Sequence, residues 1–312
     1  MEVIKVFDRP ACRRFYKVAG RLLFIESVDL RLGNLIEPLF AGWQLEPVAL
    51  PDRSPDIRIQ FFCGDALPEI PANLNRFEIA DGGQCYTDGA DYYLALGKAL
   101  VRVQTGSAAV WVDELAAPAV LAKAASFSVC AALRRYGLFE LHAAGVINPD
   151  SERGVLIIGP SGSGKSTLAL QLAKAGWPYL SDDELLLSLV DGEVEARGFR
   201  SFFAVKDGGD SKTCFEPGAV LGSERRLSAL PGVLLFTSLS AEETTRFRRL
   251  TQAETMMRLL RACPWATYDT AVAPPNLELL SKLARQTSAF DLFAGSDLLR
   301  PGFASDLLLD LD

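Results

Sequence analysis

Residues 154–176 read GVLIIGPSGSGKSTLALQLAKAG, and this stretch sets the architecture of the chain around it. The apolar run over residues 154–159 predicts a buried strand, and the apolar spacing over residues 165–175 predicts a helix that ends at Gly176. Between them, residues 159–166 match G-x-x-x-x-G-K-[ST], the phosphate-binding P-loop motif, in the strand–turn–helix context that the motif requires. The pattern predicts nucleotide binding.

Each residue type in this motif has a physical reason. A phosphate group needs several backbone N–H groups directed into one concavity, and the tight turn that provides them uses conformations that glycine adopts readily. The start of the following helix adds the positive end of its dipole. Lys165 is expected to contact the β- and γ-phosphates of ATP, and Ser166 is expected to coordinate Mg²⁺. The predicted nucleotide-binding residues are Gly159, Pro160, Ser161, Gly162, Ser163, Gly164, Lys165, Ser166 and Thr167.

Two adjacent aspartates follow this helix. Asp182 and Asp183 lie within residues 179–189, YLSDDELLLSL, which predict a strand. Consecutive carboxylates inside a strand are costly unless a metal ion or a reacting proton uses them. In phosphoryl transfer, one carboxylate can hold Mg²⁺ while another accepts the proton of the nucleophile. The alternative is a solvated edge or turn, in which Ser181 and Asp182 end a loop.

His142 is the only histidine of the chain. It lies within residues 138–147, LFELHAAGVI, which predict a strand upstream of the glycine-rich motif. If this strand pairs with residues 154–159, the imidazole can approach the phosphate site. The alternative is a half-buried histidine with a packing role.

The segment from His142 to Asp183 resembles the HPr kinase/phosphorylase family, whose core is related to the ATP-dependent phosphoenolpyruvate carboxykinases. The resemblance rests on three features in order: a histidine ahead of a strand, the glycine-rich motif with its helix, and the aspartate pair. It implies an α/β P-loop kinase core with a mixed sheet. It also implies that Lys165 and His142 serve catalysis, that Asp182 is the base acting on the acceptor hydroxyl, and that Asp183 holds Mg²⁺.

A further part of the resemblance lies at residues 195–198, where Glu-Ala-Arg-Gly is similar to the Glu-x-Arg-Gly signature of the family. It implies Glu195 as a second metal ligand and Arg197 as a phosphate contact. The chain departs from the family at Thr167, where the family commonly has glutamate, and throughout residues 1–112. It therefore resembles the divergent HPr-kinase-related proteins, some of which phosphorylate peptides.

The sequence pattern predicts two domains. Residues 1–112 are β-rich, and from Arg76 onward short alternating runs are separated by Asp-Gly and Gly-x turns, which predicts an antiparallel meander. Residues 113–312 are expected to form the ATP-binding domain, beginning with an alanine-rich helix over residues 114–136. The first domain is the candidate for acceptor recognition. Residues 206–214 have the composition of a lid over the site, and the alternative is an ordinary surface loop.

Composition narrows the function class. The chain has 312 residues, a formal net charge of −7 and 49% hydrophobic residues, which argues against a disordered chain and against a nucleic-acid-binding protein. No apolar run approaches the length of a membrane span, so no membrane partner is expected. The six cysteines include no Cys-x-x-Cys pair, which favours reduced thiols in a cytoplasmic protein.

These observations predict a kinase that uses ATP and Mg²⁺ to phosphorylate a hydroxyl, with a serine of a protein or peptide as the acceptor. Two alternatives remain open: a kinase for a small metabolite, and a nucleotide-binding switch without turnover. The family resemblance also implies a homo-oligomer.

Overall fold

The computed structural model describes residues 12–79, 83–206, 212–215 and 224–300, together with positions 218, 222 and 303. The described chain is a mixed α/β protein with several sheets. It divides into two compact units: the described residues up to Tyr136 with Tyr268–Val272, and Gly137–Thr267 with the described residues from Ala273 onward. Within these ranges, no helix combines the length and the hydropathy that a membrane crossing requires.

The described part of the first unit contains nine strands and two longer helices. The strands are β1 (Cys12–Val18), β2 (Arg21–Ser27), β3 (Glu46–Val48), β4 (Ile57–Gly64), β5 (Asn75–Glu78), β6 (Gln84–Thr87), β7 (Tyr92–Leu96), β8 (Ala99–Gln104) and β9 (Ser107–Asp113). The helices are α1 (Leu30–Ala41) and α2 (Pro118–Arg134). All nine strands form one sheet in the order β3-β1-β2-β4-β9-β8-β7-β6-β5.

The antiparallel meander predicted from Arg76 onward is confirmed. Strands β5 to β9 pair in chain order, each antiparallel to the next. The turns at Gly89, Gly97 and Gly106 have φ of 95°, 55° and 77°, in the left-handed region that favours glycine. Of the further predicted turn at residues 81–83, positions 81 and 82 lie outside the described residues.

Helix α2 belongs to the first unit, so the boundary lies after Tyr136 and not after residue 112 as the sequence pattern suggested. The helix packs against β8 and β9. An apolar helix pattern shows that a helix is buried, but it does not show which sheet covers it. The helix begins at Pro118, later than the predicted residue 114, with proline in its first turn, where the missing N–H has no helical partner to lose.

The second unit begins at Gly137. Its strands are β10 (Phe139–Leu141), β11 (Ala143–Ile147), β12 (Gly154–Ile158), β13 (Tyr179–Ser181), β14 (Leu185–Val190), β15 (Glu193–Gly198), β16 (Phe203–Lys206), β17 (Lys212–Phe215), β18 (Ser228–Ala229), β19 (Pro231–Leu239), β20 (Arg246–Arg249) and β21 (Ser288–Ala294). The helices from residue 165 onward are α3 (Lys165–Lys174), α4 (Gln252–Ala262), α5 (Trp265–Tyr268) and α6 (Ala273–Gln286).

A six-stranded sheet in the order β13-β11-β12-β19-β21-β20 forms the centre of this unit. Strands β12, β19 and β21 are parallel, and β11 is antiparallel to both of its neighbours. Leu168, Ala169 and Leu172 of α3 join Val155 and Ile157 of β12 in one buried cluster. Burial of one leucine contributes roughly 1.5–3 kcal/mol, so this cluster holds α3 firmly against the sheet.

Two predicted strands are each divided in the structure. Residues 138–147 form β10 and β11, which belong to different sheets, with His142 between them. Residues 179–189 form β13 and β14, also in different sheets, and residues 182–184 form a turn between them. The turn is closed by the backbone N–H of Glu184, which donates to the carbonyl of Asp182 over 2.9 Å, and Asp183 has a φ of 71°. The prediction that both aspartates lie inside a strand is therefore wrong, and the alternative of a turn is correct. We call residues 182–184 the acidic turn.

The predicted lid falls largely on residues outside the description. Lys206 ends β16 and residues 212–214 lie in β17, and these two strands pair antiparallel. Residues 207–211 lie outside the described residues.

Candidate nucleotide-binding site

Residues 159–164, here called the glycine loop, connect β12 to α3. Gly162 and Gly164 have φ of 82° and 93°, which side-chain-bearing residues rarely adopt. Gly159 is required for a different reason, because a Cβ atom there would lie 2.7 Å from both the carbonyl oxygen and Oγ1 of Thr237. The strand, the loop and the helix therefore occur where the sequence predicts them, and three of the glycines are needed for the path of the backbone.

The glycine loop is tied to the neighbouring strand β19. Ser163 Oγ and Thr237 Oγ1 are 2.9 Å apart in a buried hydrogen bond, and Thr237 Oγ1 also donates to the carbonyl of Ile158 over 3.3 Å. Thr237 was not among the residues predicted from the sequence. No local signal could have revealed it, because 74 residues separate it from Ser163.

Lys165 is 4% exposed, and its ammonium group lies over the beginning of the loop. Nζ donates to the carbonyl oxygen of Gly159 over 2.9 Å and to that of Pro160 over 3.2 Å. A positive charge is thus held at the first two residues of the loop. Pro160, Ser161 and Gly162 form the exposed rim of the loop, and Thr167 is half-buried in the first turn of α3.

His142 reaches this ammonium group from the adjacent strand. Ala143 pairs with Ile158, so His142 stands beside Gly159. Its Nε2 atom lies 3.2 Å from Lys165 Nζ and 3.3 Å from Asp183 Oδ1. One ring nitrogen can accept a hydrogen bond from the ammonium or donate one to the carboxylate, but not both at once. Whether Nε2 carries a hydrogen atom therefore selects its partner.

The two aspartates of the acidic turn have different surroundings. Asp182 is 1% exposed and its Oδ1 accepts a hydrogen bond from Ser166 Oγ over 2.7 Å. The side chain of Asp183 is 54% exposed and faces His142. The expected roles were that Ser166 and Asp183 bind one Mg²⁺ ion and that Asp182 is the base acting on the acceptor hydroxyl. The structure instead brings Ser166 to Asp182 and His142 to Asp183.

Glu195 and Arg197 do not share this cluster. They lie in β15, where Arg197 Nη2 donates to Glu195 Oε1 over 3.3 Å and Ser228 Oγ donates to Glu195 Oε2 over 3.0 Å. The strand register sets Glu195 opposite Ser188 of β14, beyond the acidic turn. In the described part of the chain, the side-chain hydrogen bonds of Glu195 and Arg197 thus stay within a four-stranded sheet in the order β10-β14-β15-β18. Arg200 contacts the acidic turn, and its Nε donates to Glu184 Oε2 over 2.8 Å.

A cavity of about 520 Å³ opens beside the glycine loop. It is bounded by His142, by Gly159 and Pro160 at the beginning of the loop, and by residues of β19, β21 and α4. We call it the loop cavity. Its volume is typical of pockets that enclose small molecules or a side chain of a partner.

No protein-family model matches the sequence, and a search of curated proteins finds no match. Among solved structures, the Hpr(Ser) kinase/phosphatase from Coxiella burnetii is similar over 55% of this chain and 86% of that chain, with 14% sequence identity and a TM-score of 0.32. A likeness at this level carries no argument about activity, so the function must be argued from the side chains around the glycine loop.

Proposed function

We propose that this protein is an ATP-dependent phosphotransferase that phosphorylates a hydroxyl group, with a serine of a protein or peptide as the acceptor. The observation that carries the proposal is the position of His142 Nε2, within 3.3 Å of both Lys165 Nζ and Asp183 Oδ1. A phosphate-binding lysine, an imidazole and an exposed carboxylate thus meet at the beginning of the glycine loop.

The residues present fit a nucleoside triphosphate with Mg²⁺. The left-handed glycines of the loop leave room for phosphate oxygens against the backbone, and Lys165 supplies a full positive charge to the terminal phosphates. Ser166 and Asp182 already share a hydrogen bond, and this hydroxyl–carboxylate pair is the donor set that Mg²⁺ uses beside phosphate oxygens. When bound, Mg²⁺ neutralises charge that develops on the transferred phosphoryl group.

We assign the proton-accepting role to Asp183 together with His142, in place of Asp182. Asp182 is buried and accepts from Ser166, so an acceptor hydroxyl has little access to it. Asp183 is exposed and lies beside the imidazole. In the transfer, the acceptor oxygen forms a bond to the γ-phosphorus while the bond from that phosphorus to the β-phosphate oxygen breaks. The hydroxyl proton passes to Asp183 or His142, and ADP leaves with the bonding electron pair.

The second aspartate also separates this proposal from a nucleotide-binding switch. A switch needs the loop and one metal-binding carboxylate, a role that Ser166 and Asp182 can fill. An exposed carboxylate paired with the sole histidine has no part in such a device. A kinase for a small metabolite is a second candidate, and the volume of about 520 Å³ of the loop cavity favours it.

The test is transfer of label from γ-³²P-ATP into a cell extract by the purified chain. We expect a labelled polypeptide, whereas a labelled small molecule would support the metabolite kinase, and labelled phosphate alone would contradict both. Lys165→Ala should remove the transfer. Lys174→Ala is the matched control, since this lysine is exposed at the other end of the same helix.

A further inference from the structure

The loop cavity meets the glycine loop at the end where the terminal phosphate would lie. Lys165 Nζ is held by the carbonyl oxygens of Gly159 and Pro160, and both residues line the cavity. The lysine of this motif reaches the β- and γ-phosphates, so its ammonium group marks the position of the terminal phosphate. His142 lines the same wall. An acceptor in the cavity would therefore face the γ-phosphorus and the imidazole together.

Two arginines of α4, Arg258 and Arg261, also line the cavity. Arg258 Nη2 lies 3.0 Å from Asp291 Oδ2, and Arg248 Nη2 lies 2.6 Å from the same oxygen. Asp291 is buried, so its carboxylate fixes Arg258 in place.

The charges in this cluster do not balance. Arg248 also pairs with Glu254 over 2.7 Å. Three guanidinium groups, those of Arg248, Arg258 and Arg261, thus accompany two carboxylates, which leaves one positive charge over. Arg261 has no ion pair within the described part of the chain, and it is exposed to the cavity. A guanidinium group in such a position binds carboxylate or phosphate groups well.

We propose that the loop cavity recognises its acceptor by an anionic group, a carboxylate or a phosphate, that binds Arg261 and Arg258 while the acceptor hydroxyl points toward His142. This inference rests on the proposed function, which it deepens by naming the acceptor chemistry. Arg258 and Arg261 also reduce the electrostatic repulsion that an anionic acceptor meets when it approaches the negatively charged triphosphate. Apolar side chains of Ile158, Phe236 and Phe293 complete the walls and suit a short carbon skeleton between the two polar groups.

The binding experiment uses malonate as a carboxylate probe, titrated calorimetrically into the full chain with and without a non-hydrolysable ATP analogue and Mg²⁺. We expect Arg261→Gln to weaken malonate binding by about tenfold or more, the size of one lost charge-assisted hydrogen bond. Arg261→Lys should retain most of the binding. Arg285→Gln is the matched control, because Arg285 also lies exposed in the last turn of a helix. A wild-type chain that does not bind malonate, or an Arg261→Gln variant that binds it normally, overturns the proposal.

Matched acceptor pairs distinguish a small molecule from a peptide as the source of the anionic group. One pair is glycerate and glycerol, and the other is a peptide with a serine next to a free C-terminal carboxylate and its C-terminal amide. We expect the charged member of one pair to be phosphorylated with the higher kcat/KM, and Arg261→Gln to remove that preference. Equal transfer to charged and neutral members would refute the anionic subsite and leave the phosphotransferase intact. Malonate binding that depends on Arg261, without phosphoryl transfer to any acceptor, would support the anionic subsite and contradict the phosphotransferase.

Discussion

Ser166 donates a hydrogen bond to Asp182 over 2.7 Å, and this contact joins the first turn of α3 to the acidic turn. It makes the buried aspartate, rather than its exposed neighbour, the partner of the hydroxyl to which we assign Mg²⁺ binding. The contact leads directly to a test of whether the two side chains serve one ion.

Ser166→Ala and Asp182→Asn should each weaken Mg²⁺-dependent ATP binding by about tenfold or more, because each removes one ligand of the same ion. The double variant should lose less than the sum of the two free energies, since the second change acts on a site already damaged. A Mg²⁺ titration of ATP binding measures all three. Ser54→Ala, an exposed serine of the first unit, serves as the control. Additive losses would show that the two residues do not share a ligand sphere.

Asp183→Asn should lower turnover by about 10²- to 10⁴-fold and leave ATP affinity within a few-fold of the wild type, because it removes a proton acceptor and keeps the shape of the side chain. Asp182→Asn should instead cause a large loss of Mg²⁺-dependent ATP affinity. Steady-state kinetics and nucleotide binding on the same preparations separate the two effects. If Asp182→Asn keeps its affinity and loses turnover, the roles implied by the family resemblance would be restored.

His142→Gln should lower turnover while the chain folds normally, because it removes the imidazole that lies beside the proposed proton acceptor Asp183. Half of its side chain is exposed, so little packing is lost on substitution. The measurement is kcat, together with thermal unfolding. Unchanged turnover with a lower melting temperature would assign His142 a packing role instead.

Glu254 should make the stability of α4 dependent on acid pH. It completes a capping box with Thr251 at the start of this helix and pairs with Arg248. The hydrogen bond from Arg248, followed by those from Thr251, lowers the pKa of Glu254 from 4.5 to about 2. A carboxyl that is more acidic when folded stabilises the fold above its unfolded pKa, and this stabilisation is lost as the pH falls through its folded pKa.

Glu254→Gln should therefore lower the melting temperature by a few degrees at neutral pH. The difference from the wild type should shrink as the pH falls from 4.5 toward 2. Glu278→Gln is the control, because Glu278 is also an exposed helical glutamate, paired with Lys282. A difference that stays constant across this pH range would show that the Glu254 carboxylate does not contribute through its charge.

The parts of the site that depend on neighbouring residues were predictable from the sequence. The glycine loop is one example, because its left-handed glycines and its flanking strand and helix lie within some twenty consecutive positions. The acidic turn was only the alternative to a predicted strand, because the leucines on both sides of Asp182 and Asp183 give one continuous apolar pattern. The break depends on Asp183 entering the left-handed region, which aspartate tolerates better than most residues.

Contacts between distant parts of the chain were beyond the reach of pattern analysis. The pairing of Ser166 with Asp182 follows from where β13 ends, and this in turn depends on its pairing with β11. In the sequence, Arg258 and Arg261 of α4 have the pattern of ordinary charges on an exposed helix face. Only the position of β21, whose Asp291 pairs with Arg258, shows that they line a cavity.

Strand β19 links two regions of the second unit that have separate tasks in the proposed reaction. Thr237 anchors the glycine loop, and the next residue, Ser238, lines the loop cavity, while the guanidinium groups of that cavity come from a helix later in the chain. In the proposed reaction, donor handling and acceptor choice are thus assigned to different segments, and both segments border the loop cavity. A lineage could exchange α4 and acquire a new acceptor without altering the machinery that holds the phosphate donor, and a protein engineer could graft that helix for the same purpose.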